Sequence, residues 1–376
     1  MNLTKGKLSL RLFIIIVLGV AVLKIVDLAV GSLLTPHNSV AEQTTRSLLL
    51  KEYAPNTSIR IKPGATYLPG TIALEQKEFL LRTDSDGFII GPSDSSKQQD
   101  KVSIIFFGGS TTECIFVEED MRFPYRVGEL LNVRTLNGGV SGNHAMHSLL
   151  QTIGKAIPYK PKHIVFMQGV NDANLLAKTR SYWVAPTNRS IIQDSKKASE
   201  DFSSYVIARK IKDALIPNLW LRFGYYFQGM ATSLIVDEWK DYRDVDYSYG
   251  ELEKTVDSEF TASMRSIVHL SRDWGIEPIL MTQFSRIKLD DSETRGEYEK
   301  YPQALTYSEY VKLYNKANDV IRQVAREEKV VLIDLDKLVP SSSKFMYDSM
   351  HLNTEGSKLV AQIVSQKIRS AFPSDF

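Results

Sequence analysis

Ser110 follows two glycines in the run Gly108-Gly109-Ser110-Thr111, and far along the chain Asp348 and His351 stand three residues apart in Asp348-Ser349-Met350-His351. A serine hydroxyl is a poor nucleophile until a base removes its proton, and imidazole has the proton affinity for that work near neutral pH. The imidazole in turn needs a carboxylate to fix its tautomer and stabilise its cation, which Asp348 is spaced to supply from the same loop. Two other short motifs offer donors for a developing oxyanion: the unobstructed backbone N–H of Gly142 in Asn137-Gly138-Gly139-Val140-Ser141-Gly142, and the side-chain amide of Asn171 in Gly169-Val170-Asn171-Asp172. Together these groups are equipped for acyl transfer through an acyl-serine.

Each piece alone has a plainer reading. Ser110 suits an ordinary helix N-cap, Asn137 to Gly142 a glycine turn, and a lone loop histidine a structural role. Asp172 is placed to cap the helix that follows it. No lysine comes after Gly108-Gly109-Ser110-Thr111, so a phosphate-cradling P-loop is excluded. His37, His144, His147, His163 and His269 have no acid at a telling spacing, and His144 with His147 at i, i+3 lacks a third metal ligand. The one cysteine, Cys114, falls in the helix predicted after Ser110 and reads as a small buried residue; it permits no internal disulfide and no cysteine metal cage.

The four motifs sit where a particular fold would gather them. Apolar runs alternate with amphipathic segments from Val102 onward, which is the pattern of β-α-β units around a parallel sheet. The predicted strands are Val102 to Phe107, Val133 to Leu136, Ile164 to Met167, Pro278 to Met281 and Val330 to Ile333. A helix carrying Phe123, Val127, Leu130 and Leu131 follows the first, and a last helix runs through Gly356 to Ala371. The expected class is α/β: a doubly wound, mainly parallel five-stranded sheet sandwiched by helices. The motifs follow strands one, two and three and precede the last helix, so they converge on the sheet's C-terminal edge. The rhythm breaks between about residues 174 and 249, a segment with Trp183, Trp220, Tyr225, Tyr226, Phe227 and Trp239; it reads as a helical, aromatic-rich insertion, either a lid or sugar-stacking surface or an ordinary subdomain core.

The 376 residues carry 46 Lys plus Arg against 44 Asp plus Glu, so no whole-chain field draws in nucleic acid. Leu12 to Leu34 is apolar over 23 residues, long enough to cross a bilayer and longer than a signal-peptide core. Lys5, Lys7 and Arg11 precede it, so residues 1–11 are expected in the cytoplasm, 12–34 as a transmembrane anchor, 35–100 as a spacer and domain entry, and 101–376 as an extracytoplasmic domain. Lys24 and Asp27 share a helix face and can pair with each other near the outer interface or meet another membrane protein.

A serine after strand one, a glycine after strand two, an asparagine after strand three and Asp-x-x-His before the last helix, in this order, resemble the SGNH or GDSL hydrolase superfamily over roughly residues 100 to 371. The resemblance implies a flavodoxin-like sheet, Ser110, His351 and Asp348 as catalytic residues, and Ser110, Gly142 and Asn171 as the oxyanion hole. It implies no cofactor and no metal. The expected substrate is an acylated carbohydrate or another ester at the cell envelope, with hydrolysis or transfer open; a lipid esterase and a non-catalytic binding or assembly subunit are the other readings. Two positions depart from the family pattern: Gly109 stands where aspartate is usual beside the nucleophile, and Leu352 where proline is common after the histidine.

Overall fold

The continuous apolar strands demand cover on both faces, and the structure supplies it. In the computed structural model, which describes residues 46–48, 50–64, 74–92, 102–184, 189–194, 248–300 and 305–376, five parallel strands form the central sheet: β4 (Val102–Gly108), β5 (Arg134–Asn137), β6 (His163–Met167), β8 (Glu277–Met281) and β9 (Val331–Ile333), in the order β5-β4-β6-β8-β9. Along β4, Ile105 and Phe107 point into one core, and Ile104 and Phe106 into the other. On the second face lie the helices Phe123–Leu131, which we call α2, and Thr354–Ala371, α7. They contribute Val127, Leu131, Val360, Val364 and Ile368 to that core. The first face is covered by helices that include α4 (Val170–Thr179), α5 (Thr261–Asp273) and α6 (Tyr307–Glu327), through Leu175, Ile267, Leu313 and Val324.

The long helices are started by the expected chemistry. Thr306 accepts from the Glu309 amide while Glu309 reaches back to the Thr306 N–H at 2.8 Å, and Asn353 caps α7 by accepting from Gly356 N at 3.0 Å. The strand order places the second strand outside the first and then returns to the third. The chain therefore reverses direction across the sheet between β4 and β6, leaving a crevice beyond their C-terminal ends.

Sequence and structure differ at several places. Cys114 is not inside a long helix, because α1 is the single turn Ser110–Glu113 and Cys114 ends it in the left-handed conformation, with φ 53°. Leu130 is 39 % exposed, so the buried stripe of α2 is Phe123, Val127 and Leu131 at a spacing of four, without it. The stretch read as a spacer, 35–100, contributes its described residues to the compact unit Arg46–Phe376. There β2 (Ser58–Ile61) pairs antiparallel with β3 (Phe79–Arg82), and the buried Arg122 guanidinium fastens β3 by donating to the Leu80 carbonyl at 2.6 Å. Another short pair joins β1 (Arg46–Leu48) to β7 (Ile192–Asp194). Among the described residues no helix is long and apolar enough to cross a membrane. The expected anchor 12–34, with Lys24 and Asp27, lies outside the described residues, as does 195–247 of the expected insertion.

Phe166 is fully buried in the central strand, 6.0 Å ring to ring from Phe107. Phe166→Ala is expected to lower unfolding free energy by about 3–5 kcal/mol, read as a fall in the urea midpoint with an unchanged slope.

Candidate active site

The chain leaves β4 through a turn too tight for side chains. A Cβ on Gly108 would lie 2.1 Å from Thr112 Oγ1 and 2.7 Å from the Met167 carbonyl. One residue on, a Cβ on Gly109 would lie 2.3 Å from the Asn171 amide nitrogen. Ser110 follows as the first residue of α1, its own carbonyl accepting from Cys114 N at 3.1 Å.

His351 meets the serine from the other end of the chain: its Nε2 lies 2.7 Å from Ser110 Oγ, and its Nδ1 lies 2.7 Å from Asp348 Oδ2. A carboxylate accepts, so Nδ1 carries the proton and Nε2 is left to accept the serine hydroxyl. Asp348 is held in turn by the backbone, its Oδ1 accepting from Met350 N at 2.9 Å and His351 N at 2.7 Å. This explains the three-residue spacing: one loop both orients the acid and presents the base. Burial disfavours charge on either group, but their mutual attraction outweighs it, holding Asp348 below the usual carboxylate range and raising His351 above 6.5. Tyr347 stacks parallel to the imidazole, 9° between planes at 5.6 Å, and restricts its tilt.

The asparagine expected as an oxyanion donor is tied to the loop that carries the expected glycine donor. Asn171 Nδ2 donates to the Asn143 carbonyl at 2.8 Å, tying α4 to the loop that carries Gly142. Gly142 has φ +79°, a conformation natural to glycine. Asp172 does more than cap its helix. Fully buried, it accepts from Gly169 N at 3.1 Å, Ala145 N at 2.8 Å and Tyr182 Oη at 2.6 Å, and burial pushes its carboxyl up to about 6. It thereby clamps the Asn171 helix to the helix α3 (Ala145–Gln151) that follows the Gly142 loop.

No family model matches this chain, and no curated protein does. The chain is similar to solved structures of GDSL-type hydrolases. One is an acetylxylan esterase from Geobacillus stearothermophilus, at 16% identity and a TM-score of 0.40, covering 72% of this chain and 95% of that one. Another is a lipolytic protein of the G-D-S-L family from Desulfitobacterium hafniense, at 11% identity and a TM-score of 0.37, covering 70% and 98%. A GDSL-like lipase from Bacteroides thetaiotaomicron matches at 13% identity and a TM-score of 0.39, covering 74% and 91%.

Several residues that the sequence did not single out complete the site. Glu113, buried at the end of α1, accepts from Tyr53 Oη at 2.5 Å, from Ser141 N at 3.2 Å and from the Ser141 hydroxyl. It fixes the loop just before Gly142 from one turn beyond the nucleophile. Gln283, after β8, bridges the other side, donating to Thr111 Oγ1 at 3.2 Å and accepting from Val170 N at 3.0 Å. Neither position has a sequence signal, since a single buried Glu or Gln looks like any surface residue until the chain is folded. His144 and His147 are buried with rings 3.9 Å apart, and burial pushes them down to about 3 and 2, so they are neutral structural groups. His163 pairs with Asp375, and His269 with Glu328, far along the sequence. Cys114 is buried and its thiol is pushed up to about 12, which leaves it unreactive. Among the described residues no group of three His, Cys, Asp or Glu is arranged to hold a metal.

The Asp348–His351 contact makes a direct prediction. A proton NMR titration should place the His351 midpoint above 6.5, and Asp348→Asn should move it downward, because the raising charge is gone while the burial remains.

Proposed function

We propose that this chain is a serine hydrolase or O-acyltransferase of the SGNH type, with Ser110 as nucleophile. The observation that carries the reading is the relay Ser110–His351–Asp348, both links at 2.7 Å, formed by residues from opposite ends of the domain. The ordered motifs support it independently.

The steps follow from the groups present. His351 Nε2 takes the Ser110 proton as Oγ attacks an ester carbonyl, and Asp348 stabilises the imidazolium that forms. The carbonyl oxygen becomes an oxyanion, for which Ser110 N–H, Gly142 N–H and the Asn171 amide are the donors. His351 returns its proton to the departing alkoxide, leaving an acyl-serine and a free alcohol. Water attack then gives an acid, or attack by a second hydroxyl gives a new ester; either nucleophile gives its proton to His351, which passes it to Ser110. The substrate we propose is an O-acyl, chiefly O-acetyl, group on an envelope polysaccharide, a reading supported by the family resemblance and by the apolar segment 12–34 that would hold the domain at a membrane.

Labelling of the full chain with a fluorophosphonate tests the nucleophile. Wild type should label, while Ser110→Ala should not and His351→Ala should label far more slowly. The labelling rate should rise with pH through the raised pKa of His351, since only the neutral imidazole can accept the proton. On acetylated saccharides Asn171→Ala should lower kcat by about 100- to 1000-fold. A folded wild-type chain that refuses the probe would favour a non-catalytic binding subunit.

A further inference from the structure

Gly142 can serve an oxyanion only through its N–H, and that N–H belongs to the same peptide unit as the Ser141 carbonyl. A peptide unit is planar and trans, so whatever grips the carbonyl also aims the N–H, in the opposite direction. Lys51 supplies the grip. Its Nζ donates to the Ser141 carbonyl at 2.7 Å, the short distance of a charged donor. The same ammonium lies against Gly142 itself, since a Cβ there would be 2.9 Å from Nζ.

Lys51 is held in turn by the loop it grips. Its backbone carbonyl accepts from Asn143 Nδ2 at 3.2 Å and from Gln151 Nε2 at 3.1 Å, so its side chain and main chain straddle Gly142. The amide end of Ser141 meets the opposite charge: Ser141 N donates to Glu113 Oε1 at 3.2 Å and the Ser141 hydroxyl donates to Glu113 Oε2. Ser141 is thus pinned at its N–H, its hydroxyl and its carbonyl. A cation on the carbonyl oxygen also draws electron density along the peptide, which makes the Gly142 N–H a stronger donor, as in any chain of hydrogen bonds that polarise one another. The charged and titratable groups that bear on Lys51 are Arg189, Glu113, His144 and His147, and both histidines are neutral. Burial first and Arg189 second bring Lys51 down to about 8, against the pull of Glu113. The ammonium is therefore charged at neutral pH and loses its charge in mild alkali.

We propose that Lys51 is a positioning residue of the oxyanion hole, aiming and polarising the Gly142 N–H through the Ser141 carbonyl. The inference rests on Ser110 being the nucleophile and Gly142 a donor, and it adds to that reading a residue that acts through the backbone.

Ser141–Gly142 is the one Ser-Gly pair in the 376 residues. The full chain, made by cell-free synthesis with carbonyl-13C serine and 15N glycine, therefore gives a single cross-peak in a carbon-detected carbonyl–nitrogen spectrum. That peak should move with a midpoint near pH 8, and in Lys51→Met it should stay still. On acetylated methyl glucoside, Lys51→Met should lower kcat by roughly 10-fold with KM unchanged, because the oxyanion forms only as the ester is attacked. Wild-type kcat should fall towards that of Lys51→Met as the pH rises past about 8. Lys51→Arg, charged throughout, should keep wild-type kcat and show no such fall. A lysine that merely braced the loop would affect stability and leave the pH profile alone. A peak indifferent to pH, or a Lys51→Met kcat equal to wild type, would overturn the proposal; the wild-type titration decides even where Lys51→Met does not fold. Fluorophosphonate separates the two readings: absence of the Lys51 effects in a chain that labels at Ser110 removes this inference alone, and a folded chain that refuses the probe removes both.

Discussion

The amide of Asn171 passes over Gly109 to bond the Asn143 carbonyl, and this single crossing brings together three loops that leave three different strands. A Cβ at residue 109 would lie 2.3 Å from that amide nitrogen, so a side chain there would displace the amide from its present path. Glycine at 109 leaves the space beside Ser110 open, and Asn171 fills it.

Around that crossing, buried polar groups are arranged so that each loop is tied twice. Asp172 bonds the amides of Gly169 and Ala145 and the Tyr182 hydroxyl; Glu113 bonds Ser141 and Tyr53; Gln283 spans from Thr111 to Val170. A buried carboxylate is tolerable only when its oxygens are satisfied, and these are. Satisfied networks of this kind restrict the backbone more sharply than apolar contacts, which permit sliding. The reacting groups are therefore set by polar ties and the sheet beneath them by apolar burial.

The sheet was legible in the sequence because its strands are apolar on both faces, and the ends expected for Val102 to Phe107 and Ile164 to Met167 fall within one residue of those observed. The relay was legible because Asp348 and His351 share a loop and Ser110 follows two glycines. What stayed hidden depends on contacts distant in the chain. Glu113 and Gln283 matter for where they point; His163 finds its acid only through the C-terminal fold at Asp375; and the 35–100 segment has too little periodicity to reveal that β3 is clamped by Arg122. The long helix expected after Ser110 stopped at Glu113 because Cys114 turns left-handed, a reversal that no propensity for cysteine would announce.

That reversal also seals the chain's single thiol inside the second core, beneath the nucleophile turn and beside Arg122. A thiol so placed stays protonated and out of reach of maleimides. The native chain is in effect silent to cysteine-directed dyes, so one cysteine introduced on the surface would carry a fluorophore or spin label at a unique address. The motions of any segment bordering the site can then be followed without first removing a residue from the core.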